Sequence, residues 1–169
     1  MGQTSFTSVY DRFLAKITDD MFMELTKEDT YRLLQDLLLS ALYKFEFPRV
    51  DIMDYTINKE EDESGNEKIT AYFNNQLTSE EINIIATYMV VEWIGQQLAS
   101  VEITRMKYSG SDFKFTSQAN HLSKLITLLT TMERESTHIQ RLYRRRKVDE
   151  KTGNYVSNWS VLLEKSALD

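Results

Sequence analysis

A chain of 169 residues, 41% hydrophobic and 27% charged, is long enough to bury its own core and too apolar to stay disordered throughout. Its net charge of -6 argues against a surface that coats nucleic acid, so any phosphate contact has to be local. The absence of cysteine excludes disulfides, a thiolate nucleophile and sulfur-ligated zinc or iron. The start, MGQTSFTSVYDRF, lacks the basic and then apolar order of a signal peptide, and no later stretch is apolar for long enough to span a bilayer. The expectation is a soluble protein, intracellular where it is made.

The first predicted helix runs from about Ser8 to Thr18. Tyr10, Phe13, Leu14, Ile17 and Met21 fall at helical spacing, and Ser8 with Asp11 reads as a capping box. A second helix opens at LTKED, with Thr26 as cap and Asp29 three positions on; its apolar face is Tyr31, Leu34, Leu38, Leu42 and Phe45, and Pro48 is expected to stop it. From Val50 the period shortens to about 2. Met53, Tyr55 and Ile57 alternate with polar residues, as do Ile69, Ala71 and Phe73, so a β-hairpin is predicted near 50–74. Its connection, NKEEDESGNEK, carries Glu60, Glu61, Asp62 and Glu63, an acidic tip that should project into water. These acids are consecutive, whereas a calcium loop needs them at alternating positions before a glycine and a distal glutamate.

The third helix opens at LTSEE, where Thr78 and Glu81 form the strongest capping box of the chain, and continues to about Ile103. Its centre, IIATYMVVEWIG, is apolar on more than one side, which predicts a central position. KYSGSDFKFTSQ interrupts the helical pattern with Gly110 and alternates Phe113 with Phe115, predicting a second small turn or hairpin. A fourth helix, capped near Thr116 or Ser117, uses Leu122, Leu125, Ile126, Leu129, Met132 and Tyr143 as its buried stripe. The basic run of Arg141, Arg144, Arg145, Arg146 and Lys147 closes it. Beyond that, DEKTGNYVSNWSVLLEKSALD holds a turn signal and scattered apolar residues. It reads as an arm or short helix, mobile in isolation. The predicted fold is therefore mainly α: a bundle of about four helices with one or two small β-hairpins, a main domain over 1–148 and an extended C-terminal arm over 149–169.

Catalytic signatures are missing. His121 and His138 are the only histidines and stand too far apart on one helix to share a metal, so each is expected to face solvent or cap. No GxSxG elbow, GxxxxGK[ST] or GxGxxG occurs, and five glycines leave few tight turns to build them. The expectation is no enzyme and no cofactor. Glu92, among apolar neighbours, reads either as a carboxylate of raised pKa in acid-base work or as half of an ion pair with a lysine or arginine, and the second is favoured for want of a catalytic companion. Trp93 beside it reads as core.

The basic run has a bland explanation, because cations at a helix C-terminus interact favourably with the carbonyl end of the dipole. That effect is worth about 0.3–1 kcal/mol and fades within a turn, which does not call for three consecutive arginines. An acidic surface or a phosphate is the more economical account, and bidentate pairing to carboxylates lets a protein serve as well as DNA.

The order of elements, with DFKFTSQANHLSKL at 112–125 and the YRRRK ending, resembles the head-tail connector proteins of tailed bacteriophages, also called adaptor or head-completion proteins. The resemblance covers most of the chain and implies a structural subunit of the virion, made in the host cytoplasm. Such a subunit joins neighbouring copies in a homo-oligomeric ring, a dodecamer, below the portal protein, extends the DNA channel and presents a surface to the next neck or tail protein. DNA would meet it only in passage. By the same resemblance the tail after the fourth helix is the portal-docking arm, with Arg144, Arg145, Arg146 and Lys147 near acidic portal or neighbouring-subunit residues and Trp159 as an apolar anchor. The acidic hairpin tip would suit the next ring or the channel. Another neck or tail-completion protein shares the architecture, and a small DNA-binding regulator using the arginines is the reading from a different class.

Overall fold

The computed structural model describes residues 2–17, 25–61, 67–107, 115–148 and 155–156. It is mainly α, four helices among the described residues with a small antiparallel sheet.

The chain begins extended. Thr4–Ser5 form β1, which pairs antiparallel with Phe73 and Tyr72. Thr4 Oγ1 accepts the Leu77 backbone N–H at 2.8 Å, fixing the N-terminus beside the entry to a later helix. Helix α1, Phe6–Leu14, follows at once, with Ser5 as N-cap accepting from the Thr7 N–H. The helix thus starts and ends earlier than its periodicity predicts, and the Ser8–Asp11 box is not its cap. The strand pairing of Thr4–Ser5 holds the chain extended up to Ser5, so the helix begins as soon as that pairing stops. Phe6, Val9, Tyr10 and Phe13, at helical spacing, are its buried face.

Helix α2, Lys27–Leu42, opens as expected: Thr26 Oγ1 accepts the Asp29 N–H at 3.2 Å and donates to Asp29 Oδ2 at 2.7 Å. Leu34, Leu37, Leu38, Ala41 and Leu42 are buried, while Tyr31, expected on that face, lies at its edge and is 41% exposed. Pro48 is not the stop. The helix ends at Leu42 in a tighter turn, with the Lys44 N–H on Ala41 O and the Phe45 N–H on Leu42 O, because Phe45 turns inward to pack edge-on against Tyr143.

The hairpin is β2, Tyr55–Glu61, against β3, Glu67–Phe73, and the sheet order is β1-β3-β2. Asn74 staples its base, donating from its backbone N–H to Asp54 O and from Nδ2 to Asp54 Oδ1. Two expectations shift. Met53 is exposed in a bend before the strand, and Glu60 and Glu61 belong to β2, paired with Lys68 and Glu67, rather than to the connecting turn. Asp62 and Glu63 lie outside the described residues.

Helix α3, Ser79–Lys107, is the hub, packed against α1, α2 and the next helix. Its run from Ile84 to Val91 is buried without interruption, as the apolar centre of the sequence predicts. Trp93 packs partly buried against the core, with no hydrogen-bond partner for its indole N–H among the described residues. Helix α4, Phe115–Arg145, begins before Thr116 and Ser117, which are therefore inside it and not caps. Phe115 is helical, so the Phe113–Phe115 alternation does not mark a strand there; the turn expected just before it lies outside the described residues. Leu122, Leu125, Leu129 and Met132 are partly buried and Tyr143 is fully so, but Ile126 is 46% exposed. After α4, β4 (Lys147–Val148) pairs with β5 (Tyr155–Val156), and the rest of the expected arm over 149–169 lies outside the described residues. That pairing sits across the Thr-Gly-Asn turn signal.

Candidate interaction surface at the end of α4

The basic cluster sits at one end of the bundle, and a buried knot sets its position. Tyr143 is 1% exposed, and its hydroxyl donates to Glu81 Oε1 at 2.5 Å while accepting the Arg49 backbone N–H at 3.0 Å. Glu81, also 1% exposed, closes the capping box of α3: its Oε2 accepts from the Thr78 N–H at 2.7 Å and the Thr78 hydroxyl at 2.8 Å, and its own N–H donates to Thr78 Oγ1. One carboxylate thus ties the first turn of α3 to the last turn of α4. Burial, reinforced by the hydrogen bond to Glu81, pushes the Tyr143 pKa well above its ordinary value, while Arg49 works the other way.

Arg49 is the residue that sequence reasoning missed. Its guanidinium donates to the carbonyls of Tyr143 at 3.2 Å and Arg146 at 2.6 Å, and lies over the Tyr143 ring at 4.3 Å. The Tyr143 carbonyl, which also accepts the Arg146 N–H at 3.2 Å, lies in the last turn of α4 and the Arg146 carbonyl just beyond it, so the favourable cation at the dipole's negative end comes partly from a loop almost a hundred positions earlier. Gln140 makes a parallel link, its Oε1 accepting from the Tyr88 hydroxyl at 3.0 Å and the Glu46 N–H at 3.4 Å.

This divides the predicted arginines. Arg146 pairs with Glu80 in the first turn of α3 at 2.6 Å, so its charge is used within the fold. Arg144 lies over the Phe47 ring at 4.4 Å. Arg141, Arg144 and Arg145 are exposed, and none of the three makes an ion pair among the described residues. Tyr43 and Phe47, on the exit from α2, are 80% and 47% exposed. The surface is thus an arginine and aromatic end assembled from two segments. Lys147 is placed only by its backbone in β4, and Trp159 lies outside the described residues.

Glu81 accepts from three donors and has no free approach. Glu92, in α3, makes the ion pair expected of it, with Lys44 in the turn after α2 at 2.6 Å. His138 is exposed on α4, and the side chain of His121 is not described. No group of three or more potential metal ligands occurs among the described residues. Likewise, no described helix is long and apolar enough to cross a membrane. No family model, no curated protein and no solved structure matches this chain.

Proposed function

We propose that the chain is a structural subunit of a phage virion, a head-tail connector that forms a ring below the portal, extends the DNA channel and joins the capsid to the neck or tail. The observation that carries this reading is the solvent-facing arginine end, Arg141, Arg144 and Arg145 with Phe47 under Arg144, mounted on a helical bundle. Arginine and aromatic residues supply much of the binding energy at protein interfaces, and a guanidinium matches a carboxylate in two parallel hydrogen bonds. The acidic partner is the portal or a neighbouring subunit. The mainly α fold with a small antiparallel hairpin agrees with the resemblance carried by the order of elements.

The test is co-sedimentation of the chain with portal rings or genome-filled capsids. Association is expected, and its absence over a wide concentration range overturns the reading. Retention on DNA that falls steeply with salt and is abolished by R141Q, R144Q and R145Q together would instead assign a nucleic-acid regulator.

A further inference from the structure

Helices α1 and α2 each pack against α3, and between them they leave a cleft of about 310 Å³. Tyr10, Asp11 and Leu14 of α1 and Lys27, Tyr31 and Leu34 of α2 line it, recurring three and four positions apart so that one face of each helix supplies a wall. A space of this size stands at the lower end of ligand sites and suits a single ring. Tyr10 is 5% exposed and packs edge-on against Phe6 on one side and Tyr31 on the other, with ring centroids at 6.3 and 6.5 Å. Its hydroxyl has no hydrogen-bond partner among the described residues, although a buried phenol normally finds one. Burial pushes its pKa up, so at neutral pH it remains a protonated donor.

The rim narrows the choice of occupant. Asp11 on one wall and Lys27 on the other are exposed, and neither makes an ion pair among the described residues. A free carboxylate or amine entering between them gains one attraction and meets one repulsion. An uncharged peptide segment offers both an N–H for the carboxylate and a C=O for the ammonium.

We infer that this cleft receives a tyrosine or tryptophan side chain from an extended segment of a partner protein, its ring against Tyr10 and Tyr31 and its flanking peptide groups on Asp11 and Lys27. Unlike phenylalanine, these two carry a polar ring atom for the Tyr10 hydroxyl, and edge-to-face packing on two tyrosines adds to the burial of area. The cleft lies at the opposite end of α2 from the exit that carries Phe47, so a partner seated there is distinct from one on the arginine end.

The test titrates N-acetyl-tyrosinamide, a tyrosine side chain with a peptide group on either side, into the full chain and follows the backbone amides by NMR. Saturable shifts confined to α1 and the first two turns of α2 are expected, with a dissociation constant on the order of 1 mM. Y31A removes an exposed wall and should weaken binding about fivefold, whereas Y10F keeps the ring and should weaken it about threefold, the remaining amide peaks staying in place. Para-cresol supplies the ring alone and should bind about fivefold more weakly than the capped amino acid, a difference that D11A/K27A should abolish. An absence of saturable shifts, as when the cleft is filled from within its own chain, overturns the inference. So does equal affinity for para-cresol, which would make the cleft a pocket for free phenols, or equal affinity of Y31A and the parent.

Discussion

Tyr143 carries more of this structure than its place in a basic run suggests. Its hydroxyl satisfies two groups, the Glu81 carboxylate and the Arg49 backbone N–H, so Y143F leaves a buried acceptor and a donor short of a partner. The expected loss is about 1–3 kcal/mol, read as a lower urea midpoint with an unchanged slope. By contrast K44M, which breaks the half-exposed pair with Glu92, should change stability by less than about 1 kcal/mol in the same assay. Tyr143 also gives alkaline sensitivity. Its pKa is raised in the fold, as are those of Tyr10 and Tyr88, chiefly by burial. The unfolded chain therefore loses these protons first, near pH 10. Stability contributed by the protonated hydroxyls is complete below that pH and is lost as pH rises toward the folded values. Thermal melts should be insensitive to these groups at neutral pH and fall steadily above about pH 10, with a shallower fall in Y10F. None of this was legible beforehand: Tyr143 was expected in the buried stripe, but its partners lie about 60 and 90 positions away, beyond any local pattern.

At the level of elements, legibility followed the range of the deciding interaction. The caps of α2 and α3 are closed by residues three apart, and both were readable from LTKED and LTSEE. The start of α1 depends on pairing with Phe73, and the end of α2 depends on Phe45 meeting Tyr143; both were misplaced, since neither cause is local. The two readable caps should differ in weight. T78A removes a hydroxyl from a box that also holds the buried Glu81, so a loss near 2 kcal/mol is expected. T26A acts on an exposed cap, and a loss nearer 0.5–1 kcal/mol is expected. Equal shifts in chemical denaturation would mean that the link through Glu81 to Tyr143 adds nothing.

For the whole molecule, the apolar centre of α3 correctly announced a hub, because a helix buried on several sides needs neighbours on all of them. The candidate surface was half legible. Its arginines stood out as a run, but Phe47 and Tyr43 did not, and nothing in the sequence divided Arg146, spent on Glu80, from Arg144 and Arg145. That division yields a prediction at this scale. On the connector proposal, R141Q/R144Q/R145Q should leave the melting temperature within about 2 °C of the parent while lowering the yield of infectious particles at least tenfold. R146Q should change stability slightly and assembly less, since its pair with Glu80 is half-exposed and lies within the subunit.

The clasp of Arg49 and Glu81 around Tyr143 fixes the last turn of α4 before any neighbour arrives. A guanidinium carried on a stiff mount has little freedom left to surrender at encounter, so joining should be quick and single-phased, accelerated by long-range attraction and free of a slow isomerisation. Stopped-flow traces whose observed rate climbs linearly with concentration, without levelling off, are the kinetic signature this architecture calls for.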